Sequence, residues 1–202
     1  IQMKDPLEKK KMIATTRMFG KPVFDLQSLK EAVATFTSRA AEKLRRQYGA
    51  ASGIDVFVVT NGREGAAYEY NPMHHHRYFT MMRATSDTAE LIRAAIPLVE
   101  SLYIDGTKYV KAGVMLTGIV PDDALQGDLF SPPIRNQNRA LMQAMDNINF
   151  SMRDDMVKFV ASGLTRNWKM RQEMRSPRFT TRWDEVYQVI QPGNSIQPGT
   201  RD

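Results

Sequence analysis

Three histidines stand side by side at His74, His75 and His76. Adjacent imidazoles raise a metal first, because a catalytic zinc takes three converging protein ligands, each steadied by an outer hydrogen-bond partner. On a strand only His74 and His76 point the same way, since successive side chains alternate between faces. The nearest acid is Glu69, so the expectation is a solvated turn without a metal. Paired carboxylates at Asp122–Asp123 and Asp154–Asp155 stand where loops and helix starts use Asp as a cap. Cysteine is absent, which excludes disulfides, thiolate metal sites and a Cys nucleophile. There is no G-x-S-x-G elbow, no phosphate-binding P-loop and no dinucleotide fingerprint. The sequence carries no convincing active site of its own, so the residues of interest are those that bind.

Their chemistry is cationic. Formal net charge is +6 and the sequence pI is about 9.6, which suits an anionic partner such as nucleic acid. Lys11, Thr15, Thr16 and Arg17 lie on one candidate strand, and Lys111 and Gly113 on another. Long cations and hydroxyls match phosphate oxygens, and a glycine lets a backbone or a phosphate come close. Further on, "SPRFTTRW" (176–183) mixes Arg178 and Arg182 with Phe179 and Trp183. The expectation is that Trp168 and Trp183 are buried within a small C-terminal unit and that some of the arginines face a partner. "LQGDLF" (125–130) places a Gln and two apolar residues in what should be a polar linker, where a core has no use for them.

Residue spacing supplies the elements that position these groups. "KMIATTRM" (11–18) reads as a strand, punctuated by Gly20 and Pro22. Leu29, Val33, Phe36, Ala40 and Leu44 recur at helical spacing, with Ser28 and Glu31 as a capping box and Gly49 as the stop. "IDVFVVT" (54–60) is apolar on both faces, as an inner strand should be. A second strand covers 76–84. The next helix is capped by Thr85 or Ser86, buries Leu91, Ala95, Leu98 and Leu102, and is kinked by Pro97. A last strand covers 108–120. Alternation there puts Val110, Ala112, Val114 and Leu116 under the helices, and Tyr109, Lys111, Gly113 and Met115 on the opposite face.

The order β-α-β-β-α-β over 10–120 predicts an α+β fold, a four-stranded sheet with both helices on one face and the other face free. Residues 1–9 read as a linker from a longer chain, and 121–138 as a loop. Residues 139–190 read as a small unit with a helix at 139–150 (Leu141, Met142, Met145 and Ile148 on one side) and a strand at 156–164. Residues 191–202, with two Pro-Gly pairs, read as a disordered tail. No apolar run approaches the roughly 20 residues needed to span a bilayer.

Four stretches then stand in a telling order: "TTRMFGKPV" (15–23), "YVKAGVML" (109–116), "QGDLF" (126–130) and "WKMRQEMRSPRFTTRW" (168–183). Together they resemble the C-terminal half of UmuC-type Y-family translesion DNA polymerases, chromosomal or plasmid-borne. The resemblance implies that 10–120 is a little finger domain holding the sugar–phosphate backbone of template-primer DNA. It carries the backbone contacts onto Thr15, Thr16, Arg17, Gly20, Lys111 and Gly113; Met115 stands where some relatives have a cation. It makes "QGDLF" a sliding-clamp-binding pentapeptide, with Leu129 and Phe130 as apolar anchors and Gln126 as the polar handle. Gly127 departs from the usual aliphatic and forgoes one contact. The resemblance further implies a bacterial cytoplasmic protein of the SOS response, with a processed UmuD-like dimer and RecA as partners and a surface including Arg178 and Arg182. Catalysis and its Mg2+ would belong to an upstream core, leaving this portion inactive alone and without a cofactor.

Two other readings fit the residues. One is a free-standing single-stranded nucleic-acid binder of the RRM kind, with Phe57 and Tyr78 in place of the usual aromatic pair. The other is a metal hydrolase built on His74 and His76.

Overall fold

Alternating apolar residues commit four segments of the chain to strands, and apolar residues three or four apart commit three to helices. The computed structural model describes residues 10–63, 72–122, 136–152, 155–170 and 176–186. Its elements are β1 (Ile13–Val23), α1 (Leu26–Arg46), β2 (Gly49–Arg63), β3 (Pro72–Thr85), α2 (Thr88–Leu102), β4 (Thr107–Pro121) and α3 (Asn136–Ser151). The expected order is present, with strands longer than their apolar cores suggested. They form one antiparallel sheet in the order β1-β4-β2-β3. Each helix therefore crosses over one intervening strand, the split arrangement that places both on one face.

The core lies between that face and the helices. Ile13, Ile54, Val56, Val58, Ala112, Val114 and Leu116 meet Leu29, Val33, Phe36 and Leu44 of α1 and Leu91, Ala95 and Val99 of α2. Burying each Val, Leu, Ile or Phe here contributes about 1.5–3 kcal/mol before entropy is counted. β2 is central and apolar on both faces, as the sequence indicates: even Val59, facing away from the helices, is buried.

The caps differ from expectation. The α1 cap is Asp25, whose carboxylate accepts from the Ser28 amide at 2.7 Å. Glu31 accepts from Gln27 instead of closing a capping box. Asp87 caps α2, accepting from Ala89 at 2.7 Å and Glu90 at 3.4 Å, while Thr85 accepts from the Asp87 amide. A carboxylate brings charge to the helix dipole as well as an acceptor, which is why Asp prevails over Ser and Thr here. After α1 the left-handed residue is Tyr48, with φ of 55°, and Gly49 already belongs to β2. The Tyr48 amide donates to Arg45, and its carbonyl accepts from Asp122, bonds that hold a conformation costing about 1–2 kcal/mol. Pro97 lies inside α2, which runs on to Leu102.

Tyr109 is the main correction to the sheet. It is fully buried on the helix side, not on the opposite face. Val59 pairs with Lys111 and Thr60 with Tyr109, so Val110 is an extra residue in β4. Such a bulge resets the alternation and turns the preceding side chain over. The Tyr109 hydroxyl accepts from the Ile104 amide at 2.7 Å, and its ring stacks on Tyr103.

α3 packs through Met142, half-buried Met145 and the Asp146 carboxylate, leaving Leu141 and Ile148 exposed. The expected side of the helix is thus split, because polar pairing sets its rotation. Arg45 of α1 grips Asp146 with two bonds of 2.7 and 2.8 Å and also donates to Ser86 and Thr88. The strand expected at 156–164 is not formed. That stretch is irregular, with a 3-10 turn at Val160–Ser162 and Gly163 at φ of 67°. It is held to α1 by the Asp155–Arg39 pair and by the Trp168 ring, edge-on to Phe36 and also to Phe19 of β1, while Asp155 and Arg166 pair within the stretch. Contacts divide the chain after Met170. In the second unit, a turn at Arg178–Thr181 leads to a short 3-10 helix, Trp183–Glu185. Trp183 there is 93% exposed, against the expectation that it is buried.

Candidate nucleic-acid interface

The sheet face turned away from α1 and α2 is built in cross-strand rungs. One rung is Met18, Lys111, Val59 and His74; the next is Thr16, Gly113, Phe57 and His76; the third is Ala14, Met115, Asp55 and Tyr78. Thr117, Gly53 and Thr80 form a fourth. Strand alternation alone puts these side chains on one surface.

Gly113 does not offer an open floor. A Cβ at that position would lie 2.4 Å from the Phe57 ring and 2.8 Å from Thr16. The glycine is therefore required to seat the ring, which a phosphate would have to displace. Gly53 repeats the device: a Cβ there would lie 2.3 Å from the Thr117 hydroxyl oxygen and 2.4 Å from that of Tyr78. Hydrogen bonds from Thr117 and Thr80 hold the Tyr78 phenol below its ordinary pKa.

The residues expected to grip a backbone are divided by the sheet. Thr16 and Lys111 lie on the open face, where the Thr16 hydroxyl donates to the Ala112 carbonyl at 3.2 Å. Thr15 is buried on the helix side and accepts from Lys43 at 3.3 Å. Arg17 alternates to the helix side of β1 but is exposed at the sheet edge. The Gly20 amide donates to the Trp168 carbonyl at 3.0 Å and so already has an acceptor. Exposed Lys11, Arg17 and Lys21, with half-exposed Lys111, make the β1 side of the sheet basic. Gln126, Leu129 and Phe130 lie outside the described residues, as do Glu69, Asp123 and Asp154.

Asp55 is the feature that motif reading missed, although the alternation of β2 would have found it. It is the one acid on the open face among the described residues. Its side chain is largely buried, and Oδ1 has no hydrogen-bond partner there; His76 Nδ1 is 3.5 Å away. A carboxylate repels phosphate, so the face graduates from basic Lys111 of β4, beside the cations of the β1 edge, to acidic Asp55 of β2.

The histidines are split by alternation, with His74 and His76 on the open face and His75 on the other. Among the described residues no group of three or more His, Asp or Glu could hold a metal. Asp122 pairs with Arg139 at 2.9 Å, and Asp155 with Arg39 and Arg166, so these acids serve structure. In the second unit Arg182 lies 3.7 Å from Asp184 and 3.4 Å from Glu185, and the Arg178 amide donates to Glu185. No helix among the described residues is long and apolar enough to cross a membrane.

Residues 10–129 match the impB/mucB/samB family C-terminal domain, and residues 139–189 match a domain of unknown function, DUF4113. Protein UmuC of Salmonella typhimurium is 31% identical over 89% of this chain and 42% of its own length. Protein SamB of Salmonella typhimurium is 31% identical over 92% of this chain and 43% of its own length. The chain thus spans less than half the length of these relatives. Among solved structures, the little finger domain of PolIV in complex with the beta-clamp processivity factor aligns with 59% of this chain and 99% of that one, at 12% identity and a TM-score of 0.34.

Proposed function

Since this chain belongs to the family defined by the impB/mucB/samB C-terminal domain, we propose that it is the DNA-gripping and partner-docking portion of an error-prone translesion polymerase. The observation that carries this reading is the coincidence of the matched segment, 10–129, with a sheet whose one face is packed under helices and whose other face is open and carries Lys111, beside a β1 edge with exposed Lys11, Arg17 and Lys21. Lys111, Thr16 and Arg17 suit the phosphates of a template-primer duplex. A grip on phosphates tolerates damaged bases, because it reads no base edges. Asp55 keeps the backbone on the β1 side, and the seated rings of Phe57 and Tyr78 give the rest of the face an uncharged surface. Thr15 and Gly20 enter through their place in the strand; their side-chain and amide bonds, respectively, are used internally.

In this reading Gln126, Leu129 and Phe130 tether the protein to a bacterial sliding clamp, with Gly127 weakening the tether. A processed UmuD-like dimer and RecA are the regulatory partners, Arg178 and Arg182 contribute to a partner surface, and the setting is the bacterial cytoplasm during the SOS response. Nucleotidyl transfer and its Mg2+ belong to the part of the relatives that this chain does not span. The described residues do not fit that ion, since none cluster as ligands.

The test is salt-dependent binding to duplex DNA with a primer terminus. Lys111→Ala should weaken binding evenly across sequences and reduce the log–log salt slope by about one. Affinity that depends on sequence and survives high salt would overturn the backbone grip. The RRM-like alternative draws on the placement of Phe57 and Tyr78 on one face; it requires Tyr78→Ala to cost more than Lys111→Ala, by about 1–3 kcal/mol on single-stranded DNA. The clamp tether is tested separately: micromolar-range clamp binding by the chain should be lost in the Leu129→Ala/Phe130→Ala double variant.

A further inference from the structure

β3 is an edge strand of 14 residues that pairs with β2 alone among the described strands. A bare edge offers a row of backbone donors and acceptors to any extended chain. Behind it, on the helix side, β3 and α2 leave a groove of about 510 Å³ lined by Phe79, Met81, Ala94, Pro97 and Leu98. That size falls in the range of ligand sites, and Phe79 is 46% exposed within it. Pro97 has no amide, so the Arg93 carbonyl one turn back has no partner at the usual helical spacing. An acceptor thus stands beside the groove. Arg93 and Arg83 line it with a single acid, Glu90, and Arg77 follows on the helix side of β3.

We propose that the β3 edge and this groove dock an extended acidic peptide of another protein, added to the sheet as a fifth strand. Its alternate apolar side chains would enter the groove, because strand neighbours two apart share a face. Carboxylates placed further along that same face of the peptide would meet Arg77 and Arg93, which lie on the groove side. A second copy of the chain fits less well: antiparallel self-pairing centred on Phe79 sets His75 against Arg83 on the helix side, two basic residues. The groove lies on the opposite face from the proposed DNA surface, so the two sites are independent and neither reading requires the other.

The experiment uses the 202-residue chain and a panel of synthetic peptides about ten residues long, matching a strand. Each carries Leu, Val, Phe or Tyr together with Glu or Asp on its odd positions, in varied order, with Thr or Ser between them. Binding is read by fluorescence anisotropy, and its place by amide hydrogen exchange. The expected result is slowed exchange in β3 with at least one peptide. Binding should weaken about tenfold or more when alternate peptide amides are N-methylated, when Arg93→Glu reverses the rim charge, or when Phe79→Ala empties the groove. Both replaced side chains are substantially exposed, and an unchanged melting temperature checks that the fold survives. The proposal is overturned if no peptide protects β3, or if N-methylated and parent peptides bind alike. It also falls if the free chain sediments as a dimer with β3 already protected.

Discussion

The two edges of the sheet are finished in opposite ways. β1 is sealed by its own chain: the Trp168 carbonyl takes the Gly20 amide, the Trp168 ring packs on Phe19, and Lys43 reaches Thr15 from α1. β3 carries exposed Met73, Tyr78, Phe79 and Met82 and no strand on its outer side among the described residues. Exposed edges invite association, and proteins usually blunt them. One edge closed at the cost of ordering the irregular stretch 155–170, and the other left open over 14 residues, separates a structural margin from a surface available to a partner.

The contrast can be tested by removing what closes β1 and then what lines β3. Trp168→Ala should have the largest effect, a loss of about 3–5 kcal/mol, since a buried ring wedged between two others leaves a cavity. Urea denaturation would measure the loss, and the Gly20 amide should then exchange faster. If stability barely changes, the 155–170 stretch does not close the edge. Arg45→Ala should cost about 1.5–3 kcal/mol by leaving Asp146 without its charge-assisted bonds. A double-mutant cycle with Asp146→Asn should show the two losses to be non-additive.

Gly113→Ala should cost about 1–3 kcal/mol, because the added methyl overlaps the Phe57 ring. Loss of the Phe57 contacts in the NMR spectrum would identify that cause. On the open edge, Phe79→Ala should cost under about 1 kcal/mol, as expected for a half-exposed side chain that seals nothing. A loss as large as that of Trp168→Ala would erase the distinction between the edges.

The smallest effect emerges only in alkali. Burial raises the Tyr109 phenol above its ordinary value of 10.0, and Tyr103 beside it shifts the same way. The unfolded chain then ionises first, so this contribution to stability is complete below about pH 10 and declines as pH rises toward the folded-state values. Tyr78, held low, contributes with the opposite sign. Tyr109→Phe should flatten the alkaline decline of the melting temperature while leaving the Tyr103 share.

Period and alternation made the element order legible, because burial on one side leaves its mark every two or every three to four residues. Local competition was harder to read. Asp25 and Ser28 can both cap α1, and only the path of the preceding chain decides between them. The bulge at Val110 leaves no pattern in β4 itself, since it arises where the register with β2 and β1 breaks, and it carried Tyr109 to the wrong face. Residues 156–164 are apolar enough for a strand, but polar pairing through Asp155 and packing of Trp168 need an irregular path. At the candidate interface, Lys111 and Thr16 were legible from type and alternation. The ring over Gly113 was not, because a glycine in a strand looks the same whether it admits a ligand or a neighbour's side chain.

The bond from Gly20 to Trp168 joins residues made far apart in time. The strand leaves the ribosome with its edge bare, and its seal follows roughly 150 residues later. At elongation rates of roughly 5–20 residues per second that is on the order of ten seconds. Once β4 has emerged the nascent sheet has two bare margins until Trp168 follows, and among the described strands that of β3 alone then stays bare.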